Sequence, residues 1–130
     1  MWITKDIEYG LRVLVRIARD PEKFHSTRPL SEGEGIPEGR ARRALLRLRK
    51  AGVLEAERGR QGGYKLAKPP ETIKIAAVLR ALDEDLTLAL AGKGRRRLIP
   101  AEEGPTAAFW KRLERKFWEF LEEAALADLL

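Results

Sequence analysis

Hydrophobic residues recur at intervals of three and four positions along several parts of the chain, which is the spacing of amphipathic α-helices. The first of these helices can begin at a Thr4 cap, because a threonine hydroxyl accepts hydrogen bonds from the first helical turn, and it runs to about Ala18. A shorter apolar segment, residues 73–82, predicts another helix that packs beneath the others. We expect the first helix to bury Ile7, Leu11, Leu14, Val15 and Ala18.

Residues 36–68 predict a strongly basic helix followed by a β-hairpin. Pro37 suits a first helical turn, where its missing N–H would be unpaired in any case. Val53 and Leu54 begin one strand and residues 64–67 form its return. The tip, residues 58–63, contains three glycines, which supply the φ freedom of a tight turn. The apolar face of the helix consists of Ala41, Ala44, Leu45 and Leu48.

This order of elements is the layout of a winged helix-turn-helix. In that fold a helix enters the major groove of DNA while the wing touches the backbone or the minor groove. Two segments precede the basic helix: residues 19–29 are predicted to be a loop, and residues 30–35 take the place of the first helix of the helix-turn-helix. Gly33 and Gly35 each cost up to about 1 kcal/mol inside a helix. The segment is therefore predicted to be a very short helix, a 3₁₀ turn or a loop.

The last helical segment begins near residue 106 and is rich in aromatic residues. An ordinary core helix is one explanation, but five aromatic residues within twelve positions favour a partner surface as well. Trp118 and Phe120 widen the apolar stripe beyond what one domain face usually exposes. The stripe itself contains Phe109, Trp110, Leu113, Phe117, Leu121 and Ala124.

The formal net charge of +6 is concentrated in one part of the chain. Residues 28–70 contain 11 Lys and Arg against five Asp and Glu, which accounts for the whole excess. A solvated helix face would explain a lone run of arginines, but the adjoining basic wing favours nucleic-acid binding. The candidate DNA contacts are Gly39, Arg40, Arg42, Arg43, Arg47, Lys50, Arg58, Arg60, Gln61, Gly62 and Gly63.

Composition excludes several classes of function. The 130 residues include no cysteine, so disulfides, thiol catalysis and cysteine-held metal sites are excluded. His25 is the only histidine and has no partner for a metal site or a nucleophile–base set, so an enzyme is not expected. Charged residues make up 35%, which resembles thermophile usage, although a GC-rich genome also favours arginine and alanine. No membrane-spanning run or secretory leader is visible, which predicts a cytoplasmic protein.

Motifs spread over nearly the whole chain resemble the IscR/NsrR family of small dimeric bacterial repressors, winged-helix proteins that often carry an iron–sulfur cluster. The most specific motif is the arginine–glycine wing that ends in Gly62-Gly63-Tyr64. The resemblance implies a homodimer in which the last helix crosses its twin through Phe109, Trp110, Leu113, Phe117 and Leu121. The other matching motifs are Ile3-Thr4-Lys5 with Tyr9 and Leu11, Ile36-Pro37, Leu48-Arg49-Lys50-Ala51-Gly52-Val53, Leu66-Ala67-Lys68-Pro69, Val78-Leu79-Arg80-Ala81-Leu82 and Leu126-Ala127-Asp128-Leu129.

The chain departs from this family at the cluster loop. Relatives that bind a cluster carry three cysteines there, whereas this chain has Leu90, Arg96 and, approximately, Glu102. Glu8 falls where some relatives donate a carboxylate to the cluster, and without thiolates a surface or capping charge is expected instead. We therefore expect no cluster and no other cofactor. Arg95-Arg96-Arg97 is explained either as a solvated loop or as an added phosphate contact.

A second departure concerns the positions that contact bases. Relatives often show Ser-Tyr-Leu-Glu-Gln where this chain has Gly39-Arg40-Ala41-Arg42-Arg43. Arginine suits phosphate contact or bidentate contact with guanine. Adenine is usually recognised by an amide side chain, and Gln61 is the only such residue in the sequence because asparagine is absent.

The sequence thus predicts a mainly α fold with a small β-hairpin wing. Residues 1–82 form a winged helix-turn-helix, residues 83–105 a loop replacing the cluster loop, and residues 106–130 a dimerisation helix and tail. The predicted function is that of a homodimeric repressor that binds double-stranded DNA. The alternative is a winged-helix protein that binds nucleic acid without sequence specificity.

Overall fold

The computed structural model describes residues 4–83 and 103–130. It confirms the mainly helical fold with a two-stranded antiparallel wing and a long C-terminal helix. Among the described helices, none combines the length and the apolar character that a membrane crossing requires. The helices are α1 Lys5–Ala18, α2 Thr27–Glu34, α3 Glu38–Lys50, α4 Ile75–Leu82 and α5 Ala107–Glu123. The strands are β1 Leu54–Glu57 and β2 Gly63–Leu66, and 3₁₀ turns cover Pro70–Thr72 and Leu126–Leu129.

α1 begins as predicted, with the Thr4 hydroxyl accepting a hydrogen bond from the Ile7 amide at 3.3 Å. Its buried face differs from the prediction, because Val13 and Ile17 are fully buried while Leu11 and Val15 are only half-buried. Close packing against Gly10 explains the difference. A Cβ atom at Gly10 would lie 2.5 Å from the terminal carbons of Leu82, so α4 packs on that side of α1.

α2 is a regular eight-residue α-helix, so of the three alternatives for residues 30–35 the short helix is correct, and the 3₁₀ turn and the loop are wrong. The helix also begins earlier than predicted, at Thr27, and thus takes in part of the segment predicted as a loop. Pro29 is compatible with this because it lies in the first turn, where the N–H that proline lacks has no helical partner. Gly35 ends the helix with φ 65°, a left-handed conformation that glycine adopts without a steric penalty.

Contacts from α1 offset the weak helix propensity of α2. The Glu34 carboxylate accepts hydrogen bonds from Arg12 Nε at 3.4 Å and from Arg16 Nε at 2.9 Å. Arg12 Nη2 also donates to the Glu34 carbonyl at 2.7 Å, and Arg16 Nη2 donates to the Gly33 carbonyl at 3.1 Å. These bonds satisfy carbonyl groups that the last turn of a helix otherwise leaves to solvent.

α3 buries the four predicted apolar residues, and the hairpin follows it directly. β1 and β2 pair in register from Leu54 with Leu66 to Glu57 with Gly63. The wing has a third component that the sequence did not indicate. The His25 amide donates to the Tyr64 carbonyl, and the Tyr64 amide donates to the His25 carbonyl, each at 2.8 Å.

The C-terminal part of the chain packs into the same core as the helix-turn-helix. Leu121 of α5 is 7% exposed and Leu126 is fully buried. The Ile75 amide donates to the Ala124 carbonyl and the Leu126 amide to the Ile73 carbonyl, at 2.9 and 2.8 Å. The turn after α5 is thereby fixed beneath α4.

The aromatic stripe predicted for the last helix is divided between two environments. Leu121 is buried within the chain, and Phe117 and Trp118 are half-buried against the core. Phe109 and Leu113, by contrast, are 61% and 50% exposed, and Phe120 is 67% exposed. Part of the stripe is therefore core, which explains its aromatic width, and the remainder is an open apolar face. We call this exposed set, Phe109, Leu113 and Phe120, the α5 face.

Candidate nucleic-acid interface

α3 presents an outward face opposite its buried residues. Gly39, Arg43, Leu46 and Lys50 follow one another at intervals of four, three and four residues, and all are exposed. Within the described part of the chain, Arg43 and Lys50 have neither a hydrogen bond nor an ion pair. We call these four residues the α3 face. Two exposed cationic side chains thus flank an exposed leucine on one side of the helix.

Two further arginines of α3 lie at the edges of this face and contact acidic residues of the same chain. Arg40 Nη1 lies 3.7 Å from Asp6 Oδ1, and its guanidinium carbon lies 5.8 Å from the centre of the Tyr9 ring. Arg42 Nη2 donates to Glu38 Oε1 at 3.0 Å, one turn earlier in the helix. Exposed ion pairs of this kind contribute at most about 1 kcal/mol, so both guanidinium groups remain able to exchange partners.

Arg47 is held differently from the other predicted cations. Its Nη1 donates to the Leu82 carbonyl at 2.9 Å in a half-buried position. The bond satisfies a carbonyl in the last turn of α4 and ties α3 to that helix. Arg47 therefore contributes to packing between α3 and α4, whereas the exposed cations do not.

The tip of the wing carries the remaining predicted cations. Arg58, Arg60 and Gln61 are exposed and extend beyond the paired residues of β1 and β2. Within the described residues, neither arginine has a protein partner. The wing and α3 together therefore expose guanidinium groups from two elements that are consecutive in the chain.

Gly62 and Gly63, also among the predicted contacts, shape the wing. A Cβ atom at Gly62 would collide with the Glu57 carbonyl oxygen, and one at Gly63 would collide with the His25 carbonyl. Gly63 also has φ 138°, which L-residues rarely adopt. These two glycines allow the tight tip and the close approach of residues 24–26 to the wing.

Three features of this surface were not predicted from the sequence. Leu46 is 41% exposed between Arg43 and Lys50, and its hydrophobicity at an outward helical position was the available signal. Arg49 is exposed on α3 as well, and helical spacing alone places it beside Arg42. Phe24 lies beneath Lys65 of β2, with the ammonium 5.0 Å from the ring centre, and no sequence signal linked these two residues.

The donor set for an iron–sulfur cluster is missing from this chain. Such clusters are held mainly by cysteine thiolates, and the sequence contains no cysteine. Within the described residues, no three side chains from His, Cys, Asp and Glu come together as a metal site. Leu90, Arg96 and Glu102, the residues at the expected cysteine positions, lie outside the described residues, as do Arg95 and Arg97.

Comparisons with known proteins agree with this fold. Residues 3–130 match the model of the Rrf2 family, described as an iron-dependent transcriptional regulator. The HTH-type transcriptional regulator NsrR of Geobacillus kaustophilus is 35% identical over 133 residues, which cover 100% of this chain and 90% of that protein.

Two solved structures share the fold. The structure of CymR, the global cysteine regulator of B. subtilis, superposes with a TM-score of 0.81 at 23% identity, covering 99% of this chain and 95% of that one. IscR of T. potens gives a TM-score of 0.77 at 25% identity, covering 99% and 85%. The chain therefore belongs to the Rrf2 family of helix-turn-helix transcriptional regulators, and its function is regulatory, not enzymatic.

Proposed function

We propose that this protein is a homodimeric repressor that binds operator DNA through α3 and the wing and that works without an iron–sulfur cluster. The observation that carries the proposal is the set of exposed cations on α3 and the wing tip, in a helix-turn-helix regulator. This set contains most of the excess positive charge of the chain. Polyanionic DNA is the partner that such a surface fits.

In the proposed complex the α3 face enters the major groove. Arg43 is the arginine best placed for bidentate contact with guanine, since no described residue competes for its guanidinium. Leu46 lies three residues further on and suits contact with a thymine methyl group. A Cβ atom added at Gly39, at the start of the same face, would meet no neighbouring side chain or other element within 4 Å, which leaves room for a close approach of the DNA backbone.

The wing supplies the second contact of each half-site. Arg58 and Arg60 extend at its tip, where a guanidinium group suits a narrow minor groove with its enhanced negative potential. Arg40 and Arg42 lie nearer the protein and suit phosphate contacts, for which they exchange one anionic partner for another.

The α5 face supports the homodimer part of the proposal. Exposed apolar surface of this kind is unfavourable in water and marks an interaction site. A two-fold arrangement of α5 helices would relate two α3 faces by symmetry. Such a dimer would recognise a near-palindrome with half-sites about one helical turn apart.

The absence of a cluster follows from the donor chemistry. A family described as iron-dependent relies on iron ligands, but a chain without cysteine has no thiolate to offer. The remaining oxygen donors are hard ligands that suit other metals. Regulation would therefore come from a small molecule, a partner protein or the abundance of the protein itself.

Selection of bound duplexes from a random pool tests the proposal. We expect a near-palindromic sequence to emerge that binds at least about 1,000-fold more tightly than random duplex. A matched control is Arg115→Ala on α5, which removes one exposed positive charge far along the chain from the α3 face. It should leave the selected sequence and its affinity essentially unchanged.

The alternative function, nucleic-acid binding without sequence specificity, is favoured by the scarcity of amide side chains for reading bases. The same selection separates the two functions. A pool that stays random after several rounds, together with tight and salt-sensitive binding, would establish the alternative and exclude an operator-specific repressor.

A further inference from the structure

A groove of about 820 Å³ runs along α1 on the side away from its buried face. Its walls are α1, the segment that follows α1, and residues from both the start and the end of α2, with Leu129 of the C-terminal 3₁₀ turn beside them. The volume falls within the range of about 300–1,000 Å³ that small-molecule sites usually have. The apolar part of the lining consists of Leu11, Val15, Phe24, Pro29, Leu30 and Leu129. This lining explains why Leu11 and Val15 are half-buried although they lie off the core face of α1.

The polar part of the lining is mainly cationic at the end formed by the C-terminal half of α1. Arg12 and Arg16 share the single carboxylate of Glu34. Lys23 pairs with Asp20 at 3.3 Å, whereas Arg19 has no ion pair within the described residues. At this end of the groove, guanidinium groups therefore outnumber the carboxylates available to them.

We propose that this groove binds a small amphipathic anion, a molecule with an apolar body and a carboxylate, sulfonate or phosphate group, and that this anion is an effector of DNA binding. The apolar body lies along Leu11, Val15 and Phe24, and the anionic group lies near Arg19 and Arg16. The effector role rests on the proposed function, because it concerns regulation of the same DNA-binding surface.

One wall of the groove connects directly to the wing. Phe24, His25 and Ser26 line the groove, and the backbone of His25 makes two hydrogen bonds to Tyr64 of β2. The Phe24 ring also lies beneath Lys65. A ligand that displaces Phe24 therefore acts on the strand that holds the wing tip.

The opposite wall connects to the helix-turn-helix. Arg12, Arg16 and Glu34 line the groove and are also the residues that hold the end of α2 on α1. An anion near Arg16 competes with Glu34 for that guanidinium and weakens this attachment. Since α2 precedes α3 by only a few residues, the ligand favours a state in which α3 is less firmly placed, and DNA affinity falls.

Binding is tested on the full-length protein with anilinonaphthalene sulfonate, a fluorescent probe with an aromatic body and one anionic group. We expect one probe per chain in the groove. Val15→Glu should abolish this binding, and Arg19→Ala should weaken it about tenfold, as expected for loss of a charge-assisted contact. Leu129→Glu places a negative charge in the same groove at a more exposed position and should also abolish probe binding. If Val15→Glu fails to fold, this second variant still tests the site.

Two controls separate the groove from other surfaces. Leu113→Ser reduces the α5 face and should leave probe binding in the groove unchanged, and Arg115→Ala should do the same. Decanoate should displace the probe at a concentration at least about tenfold lower than decanol, because only decanoate carries the anionic group. Displacement by both at the same concentration would overturn the anionic specificity.

Coupling is measured as the affinity for the selected duplex with and without saturating decanoate. We expect decanoate to lower this affinity by at least about fivefold, the small end of typical allosteric couplings, and Val15→Glu to remove the effect. Hydrogen exchange of residues 54–66 and of α2 gives a readout without DNA, and both regions should exchange faster when decanoate is bound.

The outcomes distinguish this proposal from the proposed function. Failure of the ligand-free protein to bind any duplex contradicts the proposed repressor function. Faster hydrogen exchange in the wing and α2 when decanoate is bound would still support the groove as a coupled ligand site. Binding that alters neither exchange nor DNA affinity overturns the effector role. Absence of probe binding, together with conversion of a dimer to monomers by Leu129→Glu, would show that a second copy of the chain fills the groove and would overturn the ligand site.

Discussion

The α3 face and the α5 face are both left open by the described part of the chain, but their chemistry is opposite. The α3 face is cationic around one leucine, whereas the α5 face consists of Phe109, Leu113 and Phe120. Exposed charge is well hydrated. Burial of exposed apolar surface, by contrast, would contribute about 25 cal/mol of stabilising free energy for every Å² removed from water. The cationic face is therefore stable in the free protein, whereas the apolar face would be stabilised by a second protein surface.

This difference in chemistry indicates that each face serves one part of the proposed function: the α3 face binds DNA and the α5 face forms the dimer. DNA attracts the α3 face through charge, so that contact depends on salt. In the proposed dimer a second copy covers the α5 face through the hydrophobic effect, which salt does not screen. Variants on one face should thus change one measurement first and the other only as a consequence.

The largest effect is expected from a change on the α5 face. Replacing both Phe109 and Leu113 by serine should convert dimers to monomers, because it removes two of the three apolar side chains of the α5 face without touching the core. Operator affinity should then fall by about 100-fold or more, since the second half-site no longer benefits from a high effective concentration. Sedimentation velocity and operator titration measure the two quantities.

A control for this variant is Arg115→Ala, which lies on the same helix and leaves the α5 face intact. The comparison would fail if wild-type protein sedimented as a monomer at tens of micromolar, or if the double serine variant remained a dimer.

A smaller effect is expected from Arg43→Ala on the α3 face. Loss of a bidentate guanine contact should weaken operator binding by about 1–3 kcal/mol and relax specificity at one position, with no change in the dimer. Arg47→Ala provides a contrast: its bond to the Leu82 carbonyl predicts lower thermal stability.

Titrations on operator and random duplex at several salt concentrations separate base contact from phosphate contact. An equal loss on both duplexes, with a log–log salt slope that decreases by about 0.9, would show that Arg43 touches only phosphate.

A still smaller effect is expected from Gly39→Ala, which should raise stability and lower DNA affinity. No atom lies within 4 Å of the added methyl group, and alanine has the higher helix propensity, so stability should rise by up to about 0.5 kcal/mol. DNA affinity should fall, because the methyl group occupies the space proposed for the DNA backbone. Thermal unfolding and operator titration of the same sample measure both, and an unchanged affinity would place the DNA backbone elsewhere.

No effect at all is expected from iron, oxygen or nitric oxide. Protein purified without oxygen should be colourless and free of stoichiometric iron and sulfide, because the chain has no thiolate ligands. Its operator affinity should be the same before and after exposure to oxygen or nitric oxide. Visible absorbance typical of a cluster, with matching iron and sulfide, would contradict this prediction.

Most of the fold was predictable from the sequence because periodicity and capping are local properties. The limits of α1, the buried residues of α3 and the position of the hairpin follow from residues within one or two turns of each other. For the same reason, the sequence leaves open the choice among a short helix, a 3₁₀ turn and a loop for α2. Its glycines disfavour a helix locally, and the stabilising bonds come from Arg12 and Arg16, about 20 residues earlier in the chain.

The candidate site was predictable only in part. Sequence placed the cations on α3 and the wing, but it did not distinguish Arg43, which has no partner in the described chain, from Arg47, which bonds the Leu82 carbonyl 35 residues away. It also treated the aromatic residues of the last helix as one stripe. Packing against α4 buries Leu121 and leaves Phe109 and Leu113 exposed.

The sequence by itself determined the chemistry of this protein: a basic helix and wing, an aromatic last helix, and the lack of any thiolate for a cluster. Each of these depends only on which residues are present and at what spacing. Tertiary structure decided which side chains remain available, because hydrogen bonds and burial depend on elements that are distant in the chain. The groove beside α1 likewise exists only where α1, residues 23–26 and α2 come together.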